Sequence, residues 1–190
     1  MAAEQTVAAA LGIEPGLCAI IGSGGKTSLL LRLAEELPGR VIVCTSTRIL
    51  PPPLPLYTGA DEAALAALLQ AHGVVCAGTA AERGKLAAPA LPFAALCRLA
   101  DYVLVEADGS KHLPLKAHLA HEPVIPAETG QRILVVGVMG FDRPIGETAH
   151  RAAQFCALTG RQPENLARPC DIAAVLRQED LARTVVVNQV

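Results

Sequence analysis

Gly22-Ser23-Gly24-Gly25-Lys26-Thr27-Ser28 is the stretch on which the reading of this chain turns. It follows the apolar run Leu17-Cys18-Ala19-Ile20-Ile21 and opens the helical pattern that ends near Leu37. Glycines let successive backbone N–H groups turn toward one anion, because no Cβ obstructs the required dihedrals. A helix beginning there adds its unpaired amides and its positive dipole end. Strand, glycine loop, lysine–hydroxyl pair and helix therefore predict a phosphate cradle built from Gly22, Ser23, Gly24, Gly25 and Ser28. Lys26 would reach the β- and γ-phosphates, and the Thr27 hydroxyl would ligate Mg²⁺.

The common form of such a loop, G-x-x-x-x-G-K-[ST], has a glycine where this chain has Ile20. What stands here is the shorter G-x-G-G-K-T, similar to the abbreviated loop of Mur ligases. The dinucleotide fingerprint G-x-G-x-x-G is met by Gly22 and Gly24 but not by Thr27 at its third glycine. The second strand also runs into Thr45-Ser46-Thr47-Arg48, with no acid to hold a ribose. A nucleoside triphosphate, ATP or GTP, is the better expectation.

At 190 residues the chain suits a single domain with a real core. Its 52% hydrophobic and 18% charged residues exclude a disordered chain. The net charge of −2, without a basic stripe, argues against nucleic acid as a partner. The longest apolar stretch, near Ile133 to Phe141, is far too short for a membrane span, and Glu4 stands where a signal peptide needs positive charge. A cytoplasmic protein with no membrane partner is expected. The six cysteines form no C-x-x-C pair, and Cys18, Cys44 and Cys76 lie within apolar runs, as buried reduced thiols do.

Six β-branched runs recur: Leu17 to Ile21, Val41 to Cys44, Val74 to Ala77, Tyr102 to Glu106, Ile133 to Val138 and Thr184 to Val187. Helical patterns at Thr27 to Leu37, Asp61 to Ala71 and Phe93 to Ala100 lie between several of them, with Asp61 placed to cap the second. Near-continuous apolar strands alternating with helices predict an α/β fold, a mostly parallel sheet with helices on both faces, of the P-loop NTPase type. Pro51-Pro52-Pro53-Leu54-Pro55 predicts an extended loop, and Gly109 to Thr129 a long functional loop. The final run, Val185 to Val190, reads as a strand at which the domain is cut short.

Tyr102-Val103-Leu104-Val105-Glu106-Ala107-Asp108-Gly109 delivers two carboxylates at the end of a buried strand, the sheet edge where ligands bind. Glu106 and Asp108 fall on one side if the strand continues, where both could hold Mg²⁺ and orient or deprotonate a nucleophile. The competing reading makes Asp108 a turn or capping residue and Glu106 a surface charge. Arg48, at the end of the second strand, and Lys111 and Lys116, on the long loop, could meet phosphate or an anionic substrate. His118, His121 and Glu122 have the spacing of a metal pair but lack a third ligand, which favours loop roles. Glu147, His150 and Arg151 read as capping and surface charge at a helix start. Asn188-Gln189-Val190 is similar to the first positions of the N-K-x-D element that reads guanine in GTPases, with Gln for Lys and no aspartate within the chain.

Ile21 to Ser28, Thr45 to Arg48, Val105-Glu106-Ala107-Asp108-Gly109-Ser110-Lys111, Leu113-Pro114-Leu115-Lys116, His121-Glu122-Pro123-Val124-Ile125-Pro126 and His150-Arg151 occur in this order. The series resembles the YqeC family, described as selenium-dependent molybdenum hydroxylase accessory proteins, and spans nearly the whole chain. The resemblance implies a role in maturing molybdenum-cofactor hydroxylases, with the hydroxylase or its cofactor as partner. Together with the loop it gives two expectations. One is an Mg²⁺-dependent NTPase or phosphoryl or nucleotidyl transferase, with Lys26, Glu106 and Asp108 catalytic and Thr27, Glu106 and Asp108 on the metal. The other is a nucleotide-sensing adaptor that docks on a hydroxylase or delivers its cofactor. Family members continue past the last strand with N-[KQ]-x-D, so Asn188 is the candidate contact to the base.

Overall fold

The computed structural model describes residues 5–188. Its main sheet has seven strands in the order β12-β10-β1-β8-β2-β5-β4: β1 (Gly16–Gly22), β2 (Val41–Thr45), β4 (Leu56–Tyr57), β5 (Val74–Ala77), β8 (Tyr102–Glu106), β10 (Thr129–Gly137) and β12 (Thr184–Asn188). The pairs β2–β8, β2–β5, β4–β5 and β10–β12 are all parallel. A three-stranded sheet joins β3 (Arg48–Ile49), β7 (Leu86–Ala87) and β6 (Thr79–Ala80), and a pair joins β9 (Leu115–Lys116) to β11 (Ala149–His150). The helices are α1 (Val7–Ala10), α2 (Lys26–Glu36), α3 (Glu62–His72), α4 (Phe93–Leu99), α5 (Ile145–Thr148), α6 (Ala152–Thr159) and α7 (Pro169–Glu179). This is the expected α/β, P-loop NTPase-like architecture.

The chain divides into two compact units. One comprises the chain up to Ala19, Thr27–Ala107 and Ile125–Gln131; the other comprises Ile20–Lys26, Asp108–Val124 and the chain from Arg132 onward. In the first, every residue of β2 and β8 is buried, which explains their unbroken apolar sequences: a parallel strand covered on both faces has no solvent side to make polar. Leu65 and Leu69, one helical turn apart, are the buried residues of α3. Asp61 caps that helix as expected, its Oδ1 accepting from the Ala63 N–H at 2.8 Å and the Ala64 N–H at 3.4 Å, and Gly73 closes it. Cys18, Cys44 and Cys76 are buried free thiols, with burial pushing Cys18 up to about 12.

In the second unit, β12 pairs with β10 from Ile133↔Thr184 to Gly137↔Asn188. The strand expected at Thr184 to Val187 is present, but half-buried rather than fully covered, with Val187 54% exposed. Gln189 and Val190, the remainder of the guanine-like triplet, lie outside the described residues. Among the described residues, no helix is long and apolar enough to cross a membrane.

Candidate functional site

The loop that leaves β1 is held by backbone geometry. Gly22, Gly24 and Gly25 all have positive φ, at 90°, 81° and 118°, which side chains other than glycine's rarely tolerate. Space forbids a side chain as well. A Cβ on Gly22 would collide with the Val135 carbonyl, one on Gly24 with the Gly137 backbone, and one on Gly25 with the Asn188 amide. The Ser23 N–H donates to Val135 O (2.8 Å) and its hydroxyl to Pro114 O (2.9 Å), which fixes the loop at its base. The N–H groups of Gly24 and Gly25 make no hydrogen bond among the described residues, so the two amides beside the start of α2 remain available to an anion.

Lys26 is 4% exposed and turns back over its own loop. Its Nζ donates to Gly22 O at 2.6 Å, faces Asp108 Oδ1 at 3.1 Å and lies 3.5 Å from Ser110 Oγ. Asp108 is a crossroads of donors. Its Oδ2 accepts from the Gly22 N–H (2.9 Å) and meets His118 Nε2 (2.8 Å) and Lys116 Nζ (3.0 Å). Its Oδ1, lacking aligned hydrogen-bond geometry, is compensated by the Lys26 charge alone. Burial by itself would raise the Asp108 carboxyl. The His118 hydrogen bond and the two ammonium groups overcome that and hold it at about 2.

Lys116 links this cluster to a second acid: its Nζ lies 3.3 Å from Glu122 Oε2 and donates to Gly109 O at 2.7 Å. Arg151 donates to Glu122 Oε1 at 2.6 Å. Against a burial effect in the opposite direction, Arg151 and Lys116 hold Glu122 at about 2. His118 sits between two carboxylates, Nε2 toward Asp108 and Nδ1 toward Glu179 Oε2 at 2.7 Å. Burial opposes its charging, but the two acids prevail and raise its pKa. The imidazolium, with a donor on each nitrogen, satisfies both.

In the first unit, the Thr27 hydroxyl, on an exposed residue, donates to Glu106 Oε2 at 2.9 Å, and Glu106 is 8% exposed. A hydroxyl and a carboxylate this close suit the arrangement in which Mg²⁺ takes a few protein oxygens and completes its shell with water and phosphate. Among the described residues, no group of three or more His, Cys, Asp or Glu side chains gathers as a metal cage.

The sequence-predicted residues are thus distributed unevenly. Gly22, Ser23, Gly24, Gly25, Lys26, Asp108 and Asn188 belong to one unit and converge there, Asn188 donating through Nδ2 to Gly24 O at 3.0 Å. Thr27, Glu106 and the exposed Ser28 belong to the other. Arg48 does not end β2. The backbone bends at Ser46 and Thr47, and Arg48 opens β3 as an exposed residue of the small sheet. Lys111 is exposed on a tight turn, with φ of 49° followed by 62° at His112. His118 is buried between acids, whereas His121 is exposed. His150 and Arg151 do not share a helix start: His150 lies in β11, paired with Lys116, and Arg151 precedes α6 with a φ of 64°. Glu179 went unnoticed in the sequence. It is one of several acids near a helix end, and nothing local marks it as the partner of a histidine 61 residues earlier.

The chain matches the family profile described as YqeC protein over residues 18–153. It is 34% identical over 178 residues to the uncharacterized protein YqeC of Escherichia coli (strain K12), an alignment covering 86% of this chain and 68% of that one. No solved structure gives a significant match. On the extent of the profile match and on that identity, the chain belongs to the YqeC family.

Proposed function

We propose that the chain binds a nucleoside triphosphate with Mg²⁺ and uses it, as an NTPase or a phosphoryl or nucleotidyl transferase, in the maturation of molybdenum-cofactor hydroxylases. The observation that carries the reading is the loop after β1. Its three positive-φ glycines, two unbonded amides and buried lysine lie where a parallel strand gives way to a helix. Lys26, held by Asp108 and Gly22 O, would bring its charge to phosphate oxygens near the Gly24 and Gly25 amides.

Mg²⁺ would be held by Thr27 and Glu106, and when bound it would supply divalent charge and Lewis acidity. Asp108 is better suited to positioning. A carboxylate already facing two ammonium groups, an imidazolium and an amide has little capacity left for a divalent cation. Its effect is to orient the Gly22 amide and to hold Lys26 in place. Asn188, hydrogen-bonded to Gly24 O, would be the contact to the base. The maturation role comes from the family resemblance alone.

Calorimetry with ATP and GTP, with and without Mg²⁺, tests the reading. Saturable binding that improves with Mg²⁺ and weakens on Lys26→Ala by roughly 1.5–3 kcal/mol, the worth of a charge-assisted contact, is the expected result. Undetectable binding of both nucleotides by folded protein would refute it.

A further inference from the structure

The long loop and β11 bring together basic groups that the phosphate loop does not use. His150 is 7% exposed, and its imidazole makes no hydrogen bond or ion pair among the described residues. Its ring nitrogens are not fully enclosed, since the one fully buried side-chain polar atom without a hydrogen-bond partner among the described residues is Asp108 Oδ1, and they therefore remain open to a ligand. Its β9 register partner is Lys116, the next residue is Arg151, and Lys111 also acts on it through its charge. Against these three cations stand Glu122, engaged by Lys116 and Arg151, and Asp108, 3.0 Å from the Lys116 ammonium, while Lys111 faces no acid among the described residues. Lys111 makes no ion pair among the described residues, and Arg151 leaves its Nη1 without a hydrogen bond. Burial first, then the Lys116 and Arg151 charges, keep His150 below its ordinary pKa, against an opposing effect of Glu122.

Among the described residues, six non-glycine residues have positive φ, and Lys111, its neighbour His112 and Arg151 are three of them. Each is held in a conformation that costs free energy, and such positions gather at ligand sites.

We infer that Lys111, His150 and Arg151 form a second anion site, for a phosphate group other than the one cradled by Gly22 to Lys26. Three donors, one on the long loop and two on the consecutive His150 and Arg151, favour a tetrahedral oxyanion, which offers an oxygen to each, over a planar carboxylate with two. The phosphate could belong to a second small-molecule substrate or to a distal part of the nucleotide. The inference extends the nucleotide reading but stands without it, since none of its residues lies in the glycine loop.

The test is a titration of the full chain, labelled at histidine, with inorganic phosphate, followed by NMR. The His150 resonance among the five histidines is assigned by its loss in His150→Gln. The titration is run on wild type and on Lys26→Ala. The expected result is a saturable shift of His150 and a rise in its apparent pKa in both proteins, with sodium chloride at matched ionic strength having no such effect. Lys111→Asn, which tolerates the left-handed backbone, should weaken phosphate by about tenfold, as loss of one charge-assisted contact does. No shift in Lys26→Ala, or an equal shift with chloride, overturns the inference. If ATP alone saturates the wild-type shift, the phosphate is the nucleotide's own. If phosphate still shifts His150 in ATP-loaded protein, it belongs to a second molecule. Failure of the nucleotide reading would appear separately, as absent ATP binding in calorimetry beside an intact phosphate shift.

Discussion

Glu106 and Asp108 leave the same strand two residues apart, yet their surroundings differ in kind. Glu106 closes β8, a strand buried throughout, and accepts a hydrogen bond from the neutral Thr27 hydroxyl at 2.9 Å. Asp108, in the other unit, meets Lys26, Lys116 and His118 within 3.1 Å and takes the Gly22 amide as well. The first carboxylate is paired with a group that can share a cation with it. The second is surrounded by cations and serves as their counter-ion. Burial of a carboxylate therefore does not identify its task; the charge of its partners does.

The largest expected effect follows from removing the counter-ion. Asp108→Asn leaves two buried ammonium groups and an imidazolium without their shared negative charge, and should cost about 3–5 kcal/mol in denaturant unfolding. A loss under 1 kcal/mol would mean that the cations find other partners, and the contrast with Glu106 would collapse.

The pH dependence of stability sharpens the same contrast. Asp108 has its folded pKa depressed from 3.8 to about 2, so its contribution is full above the unfolded value and is lost as pH falls through about 2. Between pH 5 and pH 2 this should remove about 2 kcal/mol, and Glu122, also held at about 2, should add to the decline. His118 acts at the other end. Its pKa is raised, so its contribution is full below the unfolded value and is lost as pH rises through the folded one. Unfolding measured across pH should therefore show an alkaline decline that disappears in His118→Gln.

Asp61 offers a yardstick, a carboxylate that accepts two backbone amides at a helix start and makes no ion pair among the described residues. Asp61→Ala should cost about 1 kcal/mol, the usual worth of an N-cap. Glu106→Gln should cost less stability than Asp108→Asn, because the amide oxygen can still accept from Thr27. It should instead abolish the Mg²⁺ enhancement of nucleotide binding in calorimetry. A large loss of stability with the Mg²⁺ effect intact would reverse the roles assigned to the two acids.

Much of this was legible in the residue order. Alternating apolar runs and helical patterns predicted the strands at β1, β2, β5, β8, β10 and β12, with ends displaced by a few residues at most. The glycine spacing predicted the loop, because positive φ and close backbone approach are local demands that only glycine meets. Asp61 as a cap was equally local. Arg48 was misplaced because a bend at Ser46 and Thr47 leaves no mark in hydrophobic periodicity.

Residue order by itself thus determined the α/β class, the glycine loop between strand and helix and the presence of two acids at a strand end, all set by interactions within a few residues. Which cations face Asp108, why the His118 pKa is raised, that Glu179 is its partner and that His150 makes no side-chain hydrogen bond beside Lys116 among the described residues were decided only by the tertiary structure. Those contacts join residues ten to more than eighty positions apart, and a charge meets its partner through the folding of the backbone rather than through sequence spacing.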